Sequence, residues 1–144
     1  MRIVLREPGA EYHSPSDRRI RTPQDAGQAG REIADSDTEC MCVLSLDTKN
    51  GLRGSDIITT GLLDASLVHP REVFRAAIQR NAAAVIMVHN HPSGDTTPSS
   101  DDLRITKQMI EAGKIIDIKV LDHIILGANG GAPCSLRELG LCDF

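Results

Sequence analysis

Two short apolar runs, Cys40–Leu46 and Ala83–Val88, constrain this chain more than any other feature of its sequence. Runs of this length without polar alternation read as strands covered on both faces. Such strands need helices on either side of their sheet, and the chain supplies them. Thr22-Pro23-Gln24-Asp25 combines an N-cap, a proline at the first helical position and a capping box, predicting a helix over 23–35. Pro70 opens a second helix over 70–80, with Val73, Phe74, Ala77 and Ile78 on one stripe. A third is expected from Ser99 to 112, stopped by Gly113 as its C-cap. Lys49-Asn50-Gly51 reads as a hairpin turn from the first apolar run into a strand over 53–61. Ile118–Leu126 is the last long strand, and a short element follows at 134–139.

A hairpin followed by helix–strand–helix–strand is an α/β (mixed α+β) pattern with a mixed rather than purely parallel sheet. No internal repeat or second domain is visible. The expectation is one domain over 22–144, preceded within 1–21 by a short strand at 2–5 and a polar arm.

The 144 residues include one Tyr, two Phe and no Trp, so the core must be aliphatic. Single-strand nucleic-acid readers need aromatic platforms on which bases stack, and the three rings Tyr12, Phe74 and Phe144 are scattered. A duplex binder would show a basic surplus, whereas 20 acids here outnumber 16 bases. The Arg18, Arg19 and Arg21 cluster therefore reads as a solvated loop rather than a nucleic-acid arm. No apolar run reaches the roughly 18–20 residues of a membrane span. The start, MRIVLREPG, has no long apolar centre or cleavage site, so a cytoplasmic location is expected. Four cysteines fit that reducing compartment. Cys40 and Cys42 alternate along a strand and point to one face. Their C-x-C spacing, with C-x7-C for Cys134 and Cys142, is not that of a zinc knuckle, so all four read as small buried hydrophobes.

The chemistry is concentrated in Val88–Asp102. His89 and His91 close the second apolar strand two residues apart, which places both imidazoles on one face. The loop Pro92–Pro98 turns the chain back, and Ser99 starts a helix that carries Asp102 in its first turn. A carboxylate there can return to the histidines as a third ligand. Two imidazoles, one carboxylate and a water around a single Zn²⁺ make a catalytic type of site. Taken alone, Ser99-x-x-Asp102 is a capping box, and His-x-His alone needs no metal. The single tight loop that brings all three together is what strengthens the metal reading. Asp95 reads as a stabiliser of the Gly94 turn, and Asp101 points about 100° away from Asp102 around the helix.

His89-Asn90-His91-Pro92-Ser93-Gly94-Asp95, Pro98-Ser99 and Asp102 resemble the metal motif of the JAB/MPN (JAMM) metalloproteases in their RadC-like form. The resemblance extends to Leu46–Asn50, His69–Phe74 and Leu121–Ile125, and covers residues 22–141. It implies a curved mixed sheet flanked by helices, related in outline to the cytidine deaminases. It also implies a glutamate at the start of the strand preceding the hairpin, a position occupied by Glu39. By this resemblance His89, His91 and Asp102 hold zinc, and Glu39 takes the proton of the attacking water and passes it to the leaving amine. Ser99 stabilises the oxyanion, although its hydroxyl is also the expected helix cap. The implied activity is hydrolysis of a peptide or isopeptide bond, with a peptide or protein as substrate; a homo-oligomer is left open.

Members of this form carry an upstream helix-hairpin-helix region, and only residues 1–21 precede the matching stretch here, so a role in DNA repair is not transferred. One rival reading is a metal-dependent nuclease or DNA-processing protein. The letters His-Asn-His invite it, but the acidic balance opposes it. Another is a non-catalytic partner-binding module, which the intact ligand set disfavours. A deaminase fails for want of the His-x-Glu and Pro-Cys-x-x-Cys signature. Asp122 and His123 are adjacent in a strand and diverge, so they form no dyad; His123 is read mainly as structural. His69 reads as a helix-start residue, and Arg71 and Glu72 as surface or subunit-packing residues.

Overall fold

A computed structural model describes residues 18–62 and 68–144. The expected strand at 2–5 and most of the polar arm lie outside them. Within the described residues, helix α1 (Pro23–Ala29) and a 3-10 turn (Arg31–Ile33) precede the hairpin β1 (Glu39–Leu46) and β2 (Leu52–Leu62). Helix α2 (Pro70–Gln79), β3 (Ala84–His91), α3 (Ser100–Ile116), β4 (Lys119–Gly127) and the short β5 (Cys134–Ser135) follow.

The five strands form one sheet in the order β2-β1-β3-β4-β5. β1 is antiparallel to β2 and β3, β3 is parallel to β4, and β4 is antiparallel to β5, so the sheet is mixed. The hairpin turn is closed by Asn50, at φ 61, and by Asp47, whose carboxylate accepts the Lys49 and Gly51 N–H groups at 2.8 Å each. Residues 18–20 reach this turn: Ile20 N–H donates to the Asn50 carbonyl, and Ile20 is buried.

Both faces of β1 and β3 are covered, which is why their sequences do not alternate. Cys40, Cys42, Leu44, Leu46, Ile86 and Val88 face α1 with Ile124 and Leu126, in a layer without aromatic side chains among the described residues. Met41, Val43, Val85 and Met87 face α2 and α3, where they meet Val73, Phe74, Ile105 and Met109. Cys40 and Cys42 do share a face, whereas Cys142 packs on the opposite layer, so the four thiols do not converge. Burial pushes the Cys42 thiol up to about 12, as befits an inert hydrophobe.

Two helix ends differ from expectation. α1 stops at Ala29 rather than continuing to 35. Its next residue, Gly30, lies so close to the sheet that a Cβ there would stand 2.7 Å from Val88 Cγ1, and the chain tightens into the 3-10 turn. α3 runs through Gly113 to Ile116. A glycine ends a helix by taking positive φ, and here Asp117 does so instead, at φ 58. The Ile118 N–H then donates back to the Gly113 carbonyl and leads into β4. No helix among the described residues is long and apolar enough to cross a membrane.

Candidate metal centre

The antiparallel pairing of β1 with β3 decides what meets what. Their register runs from Leu46↔Ala84 to Met41↔His89, so the start of β1 arrives at the end of β3. Glu39, two residues before Met41, therefore lies on the same face as His89 and His91. Glu39 Oε1 stands 3.7 Å from His89 Nε2. The rings of His89 and His91 are edge-on, with centroids 4.8 Å apart.

Asp102 completes the group from the first turn of α3. Its Oδ1 is 3.3 Å from His89 Nδ1, and its Oδ2 is 3.1 Å from His91 Nε2. The capping box is also present: Ser99 Oγ accepts the Asp102 N–H at 3.0 Å, and Asp102 Oδ2 accepts the Ser99 N–H at 2.9 Å. The two readings of Ser99-x-x-Asp102 are thus compatible, because the cap is what holds the carboxylate in place. The loop before α3 lies directly on the sheet. At Gly127, the last residue of β4, a Cβ would come within 2.8 Å of the Gly94 carbonyl. His91 Nδ1 lies 2.7 Å from the Asp95 carbonyl, which fixes the ring with Nε2 turned to Asp102.

The electrostatics are those of a buried, mutually dependent cluster. Burial pushes His89 down to about 4, against the raising effect of Asp102. His91 is raised above the ordinary imidazole value, chiefly by its hydrogen bond to Asp102. Burial works to raise Asp102, but its bonds to His91 and the Ser99 N–H, with the nearby imidazoles, hold it well below the usual carboxylate range. Among the described residues, His89 Nδ1 and Nε2 and Asp102 Oδ1 are buried atoms with no hydrogen bond. Buried polar atoms are costly when unsatisfied, and an ion there would satisfy Asp102 Oδ1 and one of the two His89 nitrogens, which point apart around the ring.

Ligand atoms about 2.0–2.1 Å from a tetrahedral zinc lie roughly 3.3 Å from one another. The separations from Asp102 to the two imidazoles, 3.3 and 3.1 Å, are of that size but start from different carboxylate oxygens, Oδ1 and Oδ2, and Asp102 is not in the group whose single donor atoms gather most closely. Glu39, His89 and His91 each bring a donor atom within 4.8 Å of the others, a group that could hold a metal ion.

Of the remaining acidic and imidazole residues singled out in the sequence, His123 adjoins the group, its ring 5.7 Å from that of His89, and the others fall elsewhere. Asp95 Oδ1 accepts the Thr97 N–H beside Gly94, which has φ 86, and Asp101 is half-exposed near Arg104. Asp122 accepts from the Ser135 hydroxyl and the Arg137 N–H, tying β4 to the C-terminal segment. His123 turns the other way, to Thr106. His69 caps α2 by accepting the Arg71 N–H on Nδ1.

Sequence reasoning missed Asn90, which lies between the two histidines and points to the other face of the sheet. Its Oδ1 accepts the Cys40 N–H at 2.6 Å, and its Nδ2 donates to the Thr38 and Ser36 carbonyls at 3.0 and 3.4 Å. These bonds grip the backbone on both sides of Glu39, just where the β1–β3 register ends. The only signal in the sequence was a polar amide inside an apolar strand.

Comparison with known proteins places the chain in a family. The model of the RadC-like JAB domain family matches residues 20–141. A UPF0758 protein from Syntrophomonas wolfei is 49% identical over 127 residues, covering 85% of this chain and 53% of that protein. One from Desulforamulus reducens is 51% identical over 123 residues, again 85% of this chain and 53% of the relative. UPF0758 protein TTE0897 from Caldanaerobacter subterraneus is 53% identical over 102 residues, 71% of this chain and 43% of its own length. The chain thus spans about half the length of the curated relatives it matches. A five-stranded mixed sheet flanked by helices fits the JAB/MPN architecture. With a family match that spans nearly all the described residues, the chain belongs to the RadC-like JAB domain family.

Proposed function

We propose that this protein is a zinc-dependent hydrolase of peptide or isopeptide bonds, with His89, His91 and Asp102 as the metal ligands. The observation that carries this reading is the convergence of one carboxylate on two imidazoles at 3.1 and 3.3 Å, with a second carboxylate, Glu39, alongside. When bound, zinc lowers the pKa of a water towards neutrality and polarises a carbonyl oxygen.

The protein's own residues supply the rest. Glu39 approaches His89 from β1 at Nε2, the nitrogen opposite the one that faces Asp102, and its side chain is only partly buried. As general base it accepts the water's proton during attack on the amide carbon, and as general acid it returns that proton to the departing amine. Ser99 Oγ accepts the Asp102 N–H through a lone pair, which leaves its own O–H proton free to donate to the oxyanion of the tetrahedral intermediate. Asp102 keeps its charge because His91 and the Ser99 N–H bond to it, and a charged carboxylate is the form that binds a cation. Free cysteines on both faces of the sheet suit a reducing compartment, so we place the activity in the cytoplasm.

The test is hydrolysis by the zinc-loaded chain of a quenched-fluorescence peptide library and of lysine-linked isopeptide conjugates, with Glu39→Gln in parallel. The expected result is turnover by the wild type and a loss of about 10²–10⁴-fold in the variant at unchanged zinc content. Full hydrolysis by Glu39→Gln would remove the base assignment, and no cleavage of either substrate class by the zinc-loaded wild type would remove the activity.

A further inference from the structure

His123 is fully buried beside the metal centre, and nothing in the proposed hydrolysis uses it. Its ring centroid is 5.7 Å from that of His89. Its Nδ1 lies 2.6 Å from Thr106 Oγ1, and Thr106 Oγ1 lies 2.6 Å from the Asp102 carbonyl oxygen. Thr106 is itself fully buried, in the second turn of α3.

The direction of these bonds follows from proton counting. A carbonyl can only accept, so the single hydroxyl proton of Thr106 goes to Asp102. The Thr106 oxygen then has only lone pairs to offer His123, and Nδ1 must carry the hydrogen between them. A threonine bonded to the carbonyl four residues back is ordinary in a helix. What is added here is that its oxygen also accepts a hydrogen bond from an imidazole on a neighbouring strand.

The resulting path joins the two elements that present the ligands. α3 brings Asp102, and β3 brings His89. His123, on β4, pairs in register with Met87, two residues before His89. His123, the Thr106 hydroxyl and the Asp102 carbonyl thus form a hydrogen-bonded chain, and the His123 ring lies beside the His89 ring without a hydrogen bond between them.

We propose that Thr106 and His123 are positioning residues for the metal centre: the Nδ1–H of His123, received by the Thr106 hydroxyl, clamps the first turn of α3 to β4 and sets Asp102 at ligand distance from His89. This rests on the reading of His89, His91 and Asp102 as ligands, and adds to it a part of the affinity that comes from residues the ion does not touch. Partners that orient ligands in this way typically contribute 10–100-fold to metal affinity.

The test uses the full chain and zinc alone, measured by competition with a chromophoric chelator, together with the ¹⁵N spectrum of the His123 ring in metal-free protein. Wild-type protein shows the His123 hydrogen on Nδ1. Thr106→Val, which keeps the shape and removes both bonds, weakens zinc binding about 10-fold. Thr106→Ser, which retains the hydroxyl, and His123→Asn, whose amide can still donate to it, stay within a few-fold of wild type. A wild-type His123 carrying its hydrogen on Nε2 overturns the clamp even where a variant fails to fold. Equal zinc affinity in wild type and a folded Thr106→Val also overturns it. Wild-type protein that binds no zinc overturns the metal reading instead, and the ring spectrum still decides the direction of the bond.

Discussion

At the residue scale, Ser99 caps α3 and is proposed to bind the oxyanion as well, and one substitution separates the two. As a cap its oxygen accepts the Asp102 N–H; as a catalytic group it would donate its proton to the oxyanion. Glycine is tolerated at an N-cap at a cost of only a few tenths of a kcal/mol. Ser99→Gly should therefore keep its denaturant midpoint close to wild type while turnover falls about 10²–10³-fold. A fall in stability with unchanged turnover would leave the residue a cap and nothing more. Asp102 shows the same economy, since one carboxylate accepts the Ser99 N–H and lies beside both imidazoles. At this scale the sequence was informative wherever partners are close along the chain. The capping box needs three residues of separation and the His-x-His face only two. Asn90 and Thr106 were not legible, because their partners lie 50 and 17 residues away and depend on which strands become neighbours.

Among the elements, the apolar runs were readable and their ends were not. Both buried strands and all three helices occur where hydrophobic pattern and capping chemistry place them. The helix ends were set by contacts between elements: Gly30 reads as a weak helix former, yet its close approach to Val88 decides where α1 stops. Replacing it tests that directly. Gly30→Ala would put a Cβ 2.7 Å from Val88 Cγ1, and overpacking of this kind costs about 1–3 kcal/mol. Urea denaturation should show that loss, and a Val88→Ala background should relieve part of it. An undiminished midpoint would mean that α1 moves off the sheet freely. The role of Glu39 also belongs to this scale. Read alone it is one acid in a polar stretch, and only the antiparallel pairing of β1 with β3 carries it to His89.

For the whole molecule, the proposed metal centre adds a link between β3 and α3, which the core already packs together. His89 and His91 on β3 and Asp102 on α3 would be its ligands, so an ion bound there ties these two elements together and stabilises the folded state by mass action. Zinc at about 1,000 times its dissociation constant contributes about 4 kcal/mol, and for a domain of this size its removal by chelator should lower Tm by about 10 °C. The effect has a pH dependence of definite sign. His91 must be neutral to bind, and its bond to Asp102 holds the proton on it to higher pH than an ordinary imidazole. The stabilisation by zinc should therefore shrink as pH falls, starting above the pH at which an ordinary imidazole takes up its proton. A Tm indifferent to chelator at neutral pH would separate the centre from the stability of the fold.

The claim on which the rest depends is that one ion sits among His89, His91 and Asp102, with Glu39 left to act as a base. An anomalous difference map at the zinc edge, from crystals grown with zinc, tests it most directly. One strong peak is expected about 2.0–2.2 Å from a nitrogen of each imidazole and from an Asp102 oxygen, with the Glu39 carboxylate outside that distance. The absence of a peak there, or a peak bonded to Glu39 in place of Asp102, would contradict it.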